Sequence, residues 1–315
     1  MNKEKGEEEE LVNIDEKGNY ENQEKKEARE SKQNSKLSNS LLLILFLIII
    51  ISIIIIIYLI CNYNKKSHIE LIIANNYEEM SKRAANIVSK LIKENPQAIL
   101  GLATGSTPIG LYQELIKQNK NKEISFKNIT TYNLDEYCDI PQSHQQSYYS
   151  FMQEHFFKYI DINPNNTHLP KGEGNIELNV KNYEEALEKH KINLQLLGVG
   201  RNGHIGFNEP GTHFDLGVHA VKLDDKTIQD NSRFFDNDIS RVPKEAITMG
   251  IKNILDADTI ILMANGTKKA DAVKYVMSGI IDENIPVSSL NTHKGKVYVI
   301  VDKDAASKIK YNRSN

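Results

Sequence analysis

Only two cysteines, Cys61 and Cys138, occur among the 315 residues. They are far apart, with neither a CxxC pair nor a Cys/His ligand spacing, which argues against a disulfide framework and a structural zinc site. Excess charge is lacking too, since 39 Lys and Arg stand against 42 Asp and Glu. No basic stripe interleaved with aromatics runs through the chain, so nucleic acid is not an expected partner. The Gly-Lys-Ser/Thr ending of a Walker phosphate loop is missing as well. Tryptophan is absent altogether, and no function follows from that.

What is present falls into regimes. Residues 1–40 are polar, with an acidic run at Glu7–Glu10, and cannot bury enough surface to offset chain entropy; a disordered tail is expected. Residues 41–60, LLLILFLIIIISIIIIIYLI, contain no charge. Twenty helical residues reach roughly 30 Å, the depth of a bilayer's hydrocarbon core, so a single transmembrane helix over 41–61 is expected. A cleaved signal peptide fits poorly, because no small-residue cleavage site follows. Residues 62–67 read as a juxtamembrane linker. Lys25, Lys26, Arg29, Lys32 and Lys36 upstream outnumber Lys65 and Lys66 downstream, which favours a cytoplasmic N-terminus. The side on which the rest of the chain lies stays open.

From residue 68 to 315 apolar runs alternate with helical patterns. Strands are expected at 69–73, 98–103, 129–134, 194–199, 259–264 and 297–302. Helices are expected near 76–94, 108–118, 145–157, 180–190, 243–254 and 267–279. Buried strands alternating with helices predict a doubly wound α/β domain with a mostly parallel sheet, helices on both faces, and ligands beyond the carboxyl ends of the strands. Roughly 250 residues suit one such domain.

Those strand ends carry the chemistry. After 98–103 comes Thr104–Gly105–Ser106–Thr107–Pro108, whose hydroxyls and free amides at a helix start suit either a phosphate or an ordinary cap. After 129–134 comes Asp135–Glu136, an acidic pair in which one member is a candidate catalytic carboxylate and Asp135 leaves the sheet first. After 194–199 comes Gly200–Pro210, with Asn202, His204 and Glu209 inside eight residues. Gly198–Gly203 fits GxGxxG, but Pro210–Gly211 breaks the helix that a dinucleotide fingerprint requires. A metal site there lacks a second His at ligand spacing. A His flanked by an amide and a carboxylate suits proton transfer instead. Arg233 and Lys269, near loop or helix starts, are candidate anion clamps.

The segments GLATGSTPIGLYQEL, TTYNLDEYCDIP, QSYYSFM, LLGVGRNGHIGFNEPGT, NSRFFDND and VPKEAITMGI resemble, in order, those of the glucosamine-6-phosphate deaminase (glucosamine-6-phosphate isomerase) family. The resemblance covers about 69–309 and implies conversion of glucosamine 6-phosphate and water to fructose 6-phosphate and ammonia, with no metal and no organic cofactor. It assigns Asp135 as the base between C2 and C1, His204 as the ring-opening group, and Asn202 and Glu209 as its supports. Ser106, Thr107, Arg233 and Lys269 are implied to hold the phosphate. Many bacterial members carry Asp where this chain has Asn202. The basic residues with which allosteric members bind N-acetylglucosamine 6-phosphate are mostly lost from Leu216–Lys222, so no such activation is expected. Assembly into a homo-oligomer stays open. The alternatives are another sugar-phosphate isomerase or lactonase on this fold, or a membrane-tethered sensor without catalysis. Sequons begin at Asn128, Asn165, Asn265 and Asn312, and a glycan on Asn265 would crowd the proposed phosphate pocket.

Overall fold

The computed structural model describes residues 26, 29, 32, 41–57 and 68–309. The chain divides into two compact units, Met1–Lys66 and Ser67–Asn315. In the first, residues 41–57 form a helix, α1, whose large apolar side chains are all exposed. Among the described residues no helix is long and apolar enough to cross a membrane. The spanning helix expected over 41–61 is therefore not found among the described residues, of which 41–57 are helical. Positions 58–61 and the linker 62–67 lie outside the described residues, as does nearly all of the tail.

In the second unit seven strands build one sheet: β1 (Ile69–Ala74), β2 (Ile99–Leu102), β3 (Thr130–Asn133), β5 (Thr167–His168), β6 (Leu194–Leu197), β9 (Thr259–Ala264) and β10 (Lys296–Asp302). Their order is β1-β10-β9-β6-β2-β3-β5, and every pairing is parallel. Apolar side chains on both faces of the central strands explain this, since a sheet covered on both sides needs no polar alternation. Ile260, Ile261, Leu262 and Met263 of β9 are all buried. Helix α2 (Tyr77–Glu94) starts where Asn76 Oδ1 accepts from the Glu79 amide at 2.9 Å. It packs Met80, Ala84, Val88 and Ile92 inward at helical spacing. The doubly wound parallel architecture expected from the sequence is thus present.

A second, smaller sheet was not expected. It joins β4 (Asp135–Tyr137), β8 (Glu245–Thr248) and β7 (His219–Lys222) in the antiparallel order β4-β8-β7. The helix expected over 243–254 is corrected here, because its first half is β8 and only Ile251–Leu255 is helical (α7). Two partners satisfy both backbone edges of β8 in a ladder that a helix could not join. Tyr137, Phe207, Leu223, Ile228, Phe235, Val242 and Ala246 form a separate small apolar cluster. Two further helices matter for the site, α4 (Tyr148–His155) and α6 (Asp225–Asn231).

Candidate active site

Adjacent strands β9, β6, β2 and β3 release their carboxyl ends side by side. From β2 the chain winds one way to β3; from β6 it winds the other way to β9, so a crevice opens between them. The loops that follow these four strands line one cavity of about 660 Å³. Ser106, Thr107, Asp135, His204, Arg233 and Lys269 all reach it. Asn202 and Glu209 do not line it and stand behind His204.

Asp135 opens β4 and is 6 % exposed. Its carboxyl has no hydrogen-bond partner among the described residues. Burial, with the charge of Glu136 beside it, pushes its pKa up to about 8. Glu136 faces another way and accepts from the amides of Tyr137 (2.9 Å), Tyr148 (2.8 Å) and Tyr149 (2.9 Å). The last two amides open α4, so Glu136 caps that helix and complements its dipole. Of the acidic pair, one member is a cap and the other is free.

Glu209 Oε2 accepts from Asn202 Nδ2 at 2.8 Å and lies 3.3 Å from His204 Nδ1. At that distance the ring nitrogen is buried and not aligned into a hydrogen bond. Asn202 Oδ1 accepts from the His204 amide at 3.3 Å. Glu209 Oε1 accepts from the Thr227 hydroxyl. Burial alone would raise Glu209, but His204, Thr227 and Asn202 outweigh it and hold the carboxyl below the ordinary range. The ring of His204 lies against Gly200, where a Cβ would stand 2.4 Å from its Cε1. Gly206, at φ +56°, has room for a Cβ only 2.9 Å from Thr248 Oγ1 and 3.5 Å from Asp135 Oδ2. Buried Asn208 nails this loop down through the carbonyls of Ile205 (2.9 Å) and Met249 (2.8 Å). No helix follows the glycines before Asp225 among the described residues.

At the other end of the cavity the Ser106–Thr107 turn leads into helix α3 (Ile109–Lys120). Tyr77 braces it, donating to the Ser106 and Thr107 carbonyls (3.1 Å each) and accepting from the Gly110 amide at 2.8 Å. The Thr107 hydroxyl donates to Asn265 Oδ1 at 3.2 Å, so that sequon asparagine sits in the cavity wall. Burial brings Lys269 down to about 8, against the pull of Asp230 and helped by Arg233, Arg201 and Lys268. This gathering of cations beside a helix start suits a dianion. Among the described residues no group of three or more His, Cys, Asp or Glu is placed to hold a metal ion.

The sequence reading missed Thr227, Asn231 and the wall of Tyr137, Tyr148 and Phe207. Thr227 and Asn231 sit in the polar run of α6, which looks like any solvated helix until the chain folds. The aromatic wall depends on the small sheet.

Fold and pocket together define an α/β protein whose cavity sets two cations and a helix start opposite a buried carboxyl and an imidazole. The profile of the family described as glucosamine-6-phosphate isomerases/6-phosphogluconolactonase matches residues 74–299. A glucosamine-6-phosphate deaminase of Halothermothrix orenii is 48 % identical over 241 residues, covering 76 % of this chain and 99 % of its own. One from Clostridium botulinum (strain Langeland) is 47 % identical over 244 residues, covering 77 % and 99 %. Among solved structures, a monomeric glucosamine-6-phosphate deaminase superposes with a TM-score of 0.74 at 44 % identity, covering 76 % of this chain and 99 % of that one. The 6-phosphogluconolactonase of Trypanosoma brucei shares the fold, with a TM-score of 0.64 at 16 % identity over 76 % of this chain and 98 % of that one. The chain belongs to the glucosamine-6-phosphate isomerase/6-phosphogluconolactonase family.

Proposed function

We propose that the protein is a glucosamine-6-phosphate deaminase, releasing ammonia and fructose 6-phosphate from glucosamine 6-phosphate and water. The observation that carries this is the placement of Asp135 and His204 in one cavity with the Ser106–Thr107 turn, Arg233 and Lys269. The close likeness to deaminases supports it.

The dianionic phosphate is held by the turn amides and the two cations, which fixes the reacting carbons relative to Asp135. His204 passes a proton to the ring oxygen, and the C1 hydroxyl loses one, which opens the sugar to its aldehyde. Asp135 removes the C2 proton to form the enol and returns it to C1, leaving an imine at C2. Water adds to that imine and ammonia departs, so atoms balance without an oxidant or reductant. Asn202 holds the His204 amide and Glu209, and Glu209, 3.3 Å from Nδ1, sets a negative charge behind the ring. Ammonia release from glucosamine 6-phosphate tests the reading, with 6-phosphogluconolactone as the rival substrate. Wild-type protein that hydrolysed the lactone and released no ammonia would refute it. So would binding without turnover.

The apolar stretch 41–61 supports a further proposal, that the enzyme is tethered to a membrane. The exposed side chains of α1 need an apolar cover. With Asn265 in the cavity wall, the proposal places the enzyme on a non-glycosylating side. Alkaline extraction of membranes and protease protection of intact vesicles check both points. Release of the chain by alkali would end the tether proposal.

A further inference from the structure

The proposed chemistry uses His204 with Glu209 behind it, but what fixes Glu209 has no assigned role. Asn202 and the His204 ring share Glu209 Oε2, which leaves rotation of the carboxylate to be set by whatever holds Oε1. That group is Thr227, 4 % exposed on α6. Its hydroxyl has one strong acceptor within reach, and a buried carboxylate oxygen with no donor would be costly. Two other residues of the segment are tied to the cavity from the same side, at the i+3 and i+4 positions. Asp230 takes a bidentate contact from Arg201 at 2.8 and 2.6 Å, and Asn231 donates to the Tyr137 hydroxyl at 2.8 Å. Arg233, which reaches the anion end, follows in the same segment.

We propose that Thr227 is a positioning residue for the deaminase reaction, locking Glu209 through Oε1 so that Oε2 faces His204 and Asn202. The hydroxyl is the part that matters, and the helix delivers it. Because α6 also leads into Arg233, the element that meets the phosphate is the one that sets the orientation of the proton-transferring imidazole. The inference rests on the deaminase reading, yet the two fail differently. Loss of that reading appears in wild-type protein, whereas this inference is judged between variants and by a titration that needs no turnover.

The test compares Thr227→Val, which keeps shape and loses the hydroxyl, with Thr227→Ser, which keeps the hydroxyl. In Thr227→Val, kcat for ammonia release should fall roughly ten-fold, a part of the roughly 10²–10⁴-fold that a positioned acid–base group supplies. KM should stay within about two-fold, because the phosphate clamp is untouched. The Glu209 carboxyl, followed by carbon NMR in the full chain, should titrate about one pH unit higher in Thr227→Val, having lost a donor to its ionised form. The titratable group facing it is His204, so the assignment is checked in His204→Gln. Thr227→Ser should restore both readouts. If Thr227→Val does not fold, Thr227→Ala removes the same hydroxyl and is read in the same way. Wild-type kcat with an unmoved Glu209 titration in the hydroxyl-free variant overturns the proposal. Equal impairment of the Val and Ser variants overturns it too, since that is the signature of packing.

Discussion

Asp135 carries a carboxyl whose surroundings oppose its own ionisation. Its pKa of about 8 lies above that of an unfolded Asp, so between about pH 4 and 8 the folded state binds more protons than the unfolded one. Stability contributed by this site is therefore full below about pH 4 and is lost as pH rises towards 8. Asp135→Asn should abolish ammonia release while raising the unfolding temperature relative to wild type. The gap should widen from pH 5 to pH 8 in paired thermal melts. Lys269 behaves in the opposite sense. It loses its proton as pH rises through about 8, so KM should climb above that pH, and Lys269→Met should flatten the climb while raising KM throughout. Gly200→Ala would push a methyl into the His204 ring, and kcat/KM should drop about a hundred-fold with little change in the melting midpoint. Asp135 and His204 were legible in the sequence because strand-end position marked them. Thr227 was not, because its partner is eighteen residues away and helical polarity hides it.

Among elements, the seven parallel strands were legible wherever burial on both faces left an unbroken apolar run. IELIIA and TIILMA admit few other readings. The small sheet was not legible. Its strands DEY, HAVK and EAIT are short and of mixed polarity, and the β4–β8 ladder joins positions over a hundred residues apart. For β8 the local pattern favoured a helix and the tertiary pairing overrode it. Within the large sheet, Ile261 of β9 has neighbours on both sides in register, Tyr298 and Leu196, and is fully buried. Ile261→Ala should cost about 2–5 kcal/mol in denaturant unfolding.

At the scale of the whole molecule, every residue assigned to the reaction lies within 68–309. The deaminases of H. orenii and C. botulinum are matched over 99 % of their own length by about three quarters of this chain, and the family profile falls on 74–299. A protein beginning at Ser67 should therefore release ammonia with kcat and KM close to those of the full chain. The rate should rise hyperbolically with substrate and be indifferent to N-acetylglucosamine 6-phosphate. A sigmoidal curve that the acetylated sugar makes hyperbolic would contradict the reading of Leu216–Lys222.

The pleat of β4 sends consecutive side chains to opposite faces. That alternation separates Asp135, facing the cavity, from Glu136, facing the first amides of α4. A single-residue deletion just before Asp135 that kept the ladder in place would move Glu136 into the cavity-facing slot and Tyr137 into the slot that now meets α4. The longer carboxylate would then face the cavity, and the first amides of α4 would lose the carboxylate that accepts from them. Substitutions on either side can be graded, but a change of length here disturbs both roles at once. This short strand should be among the segments of the chain least tolerant of insertion or deletion.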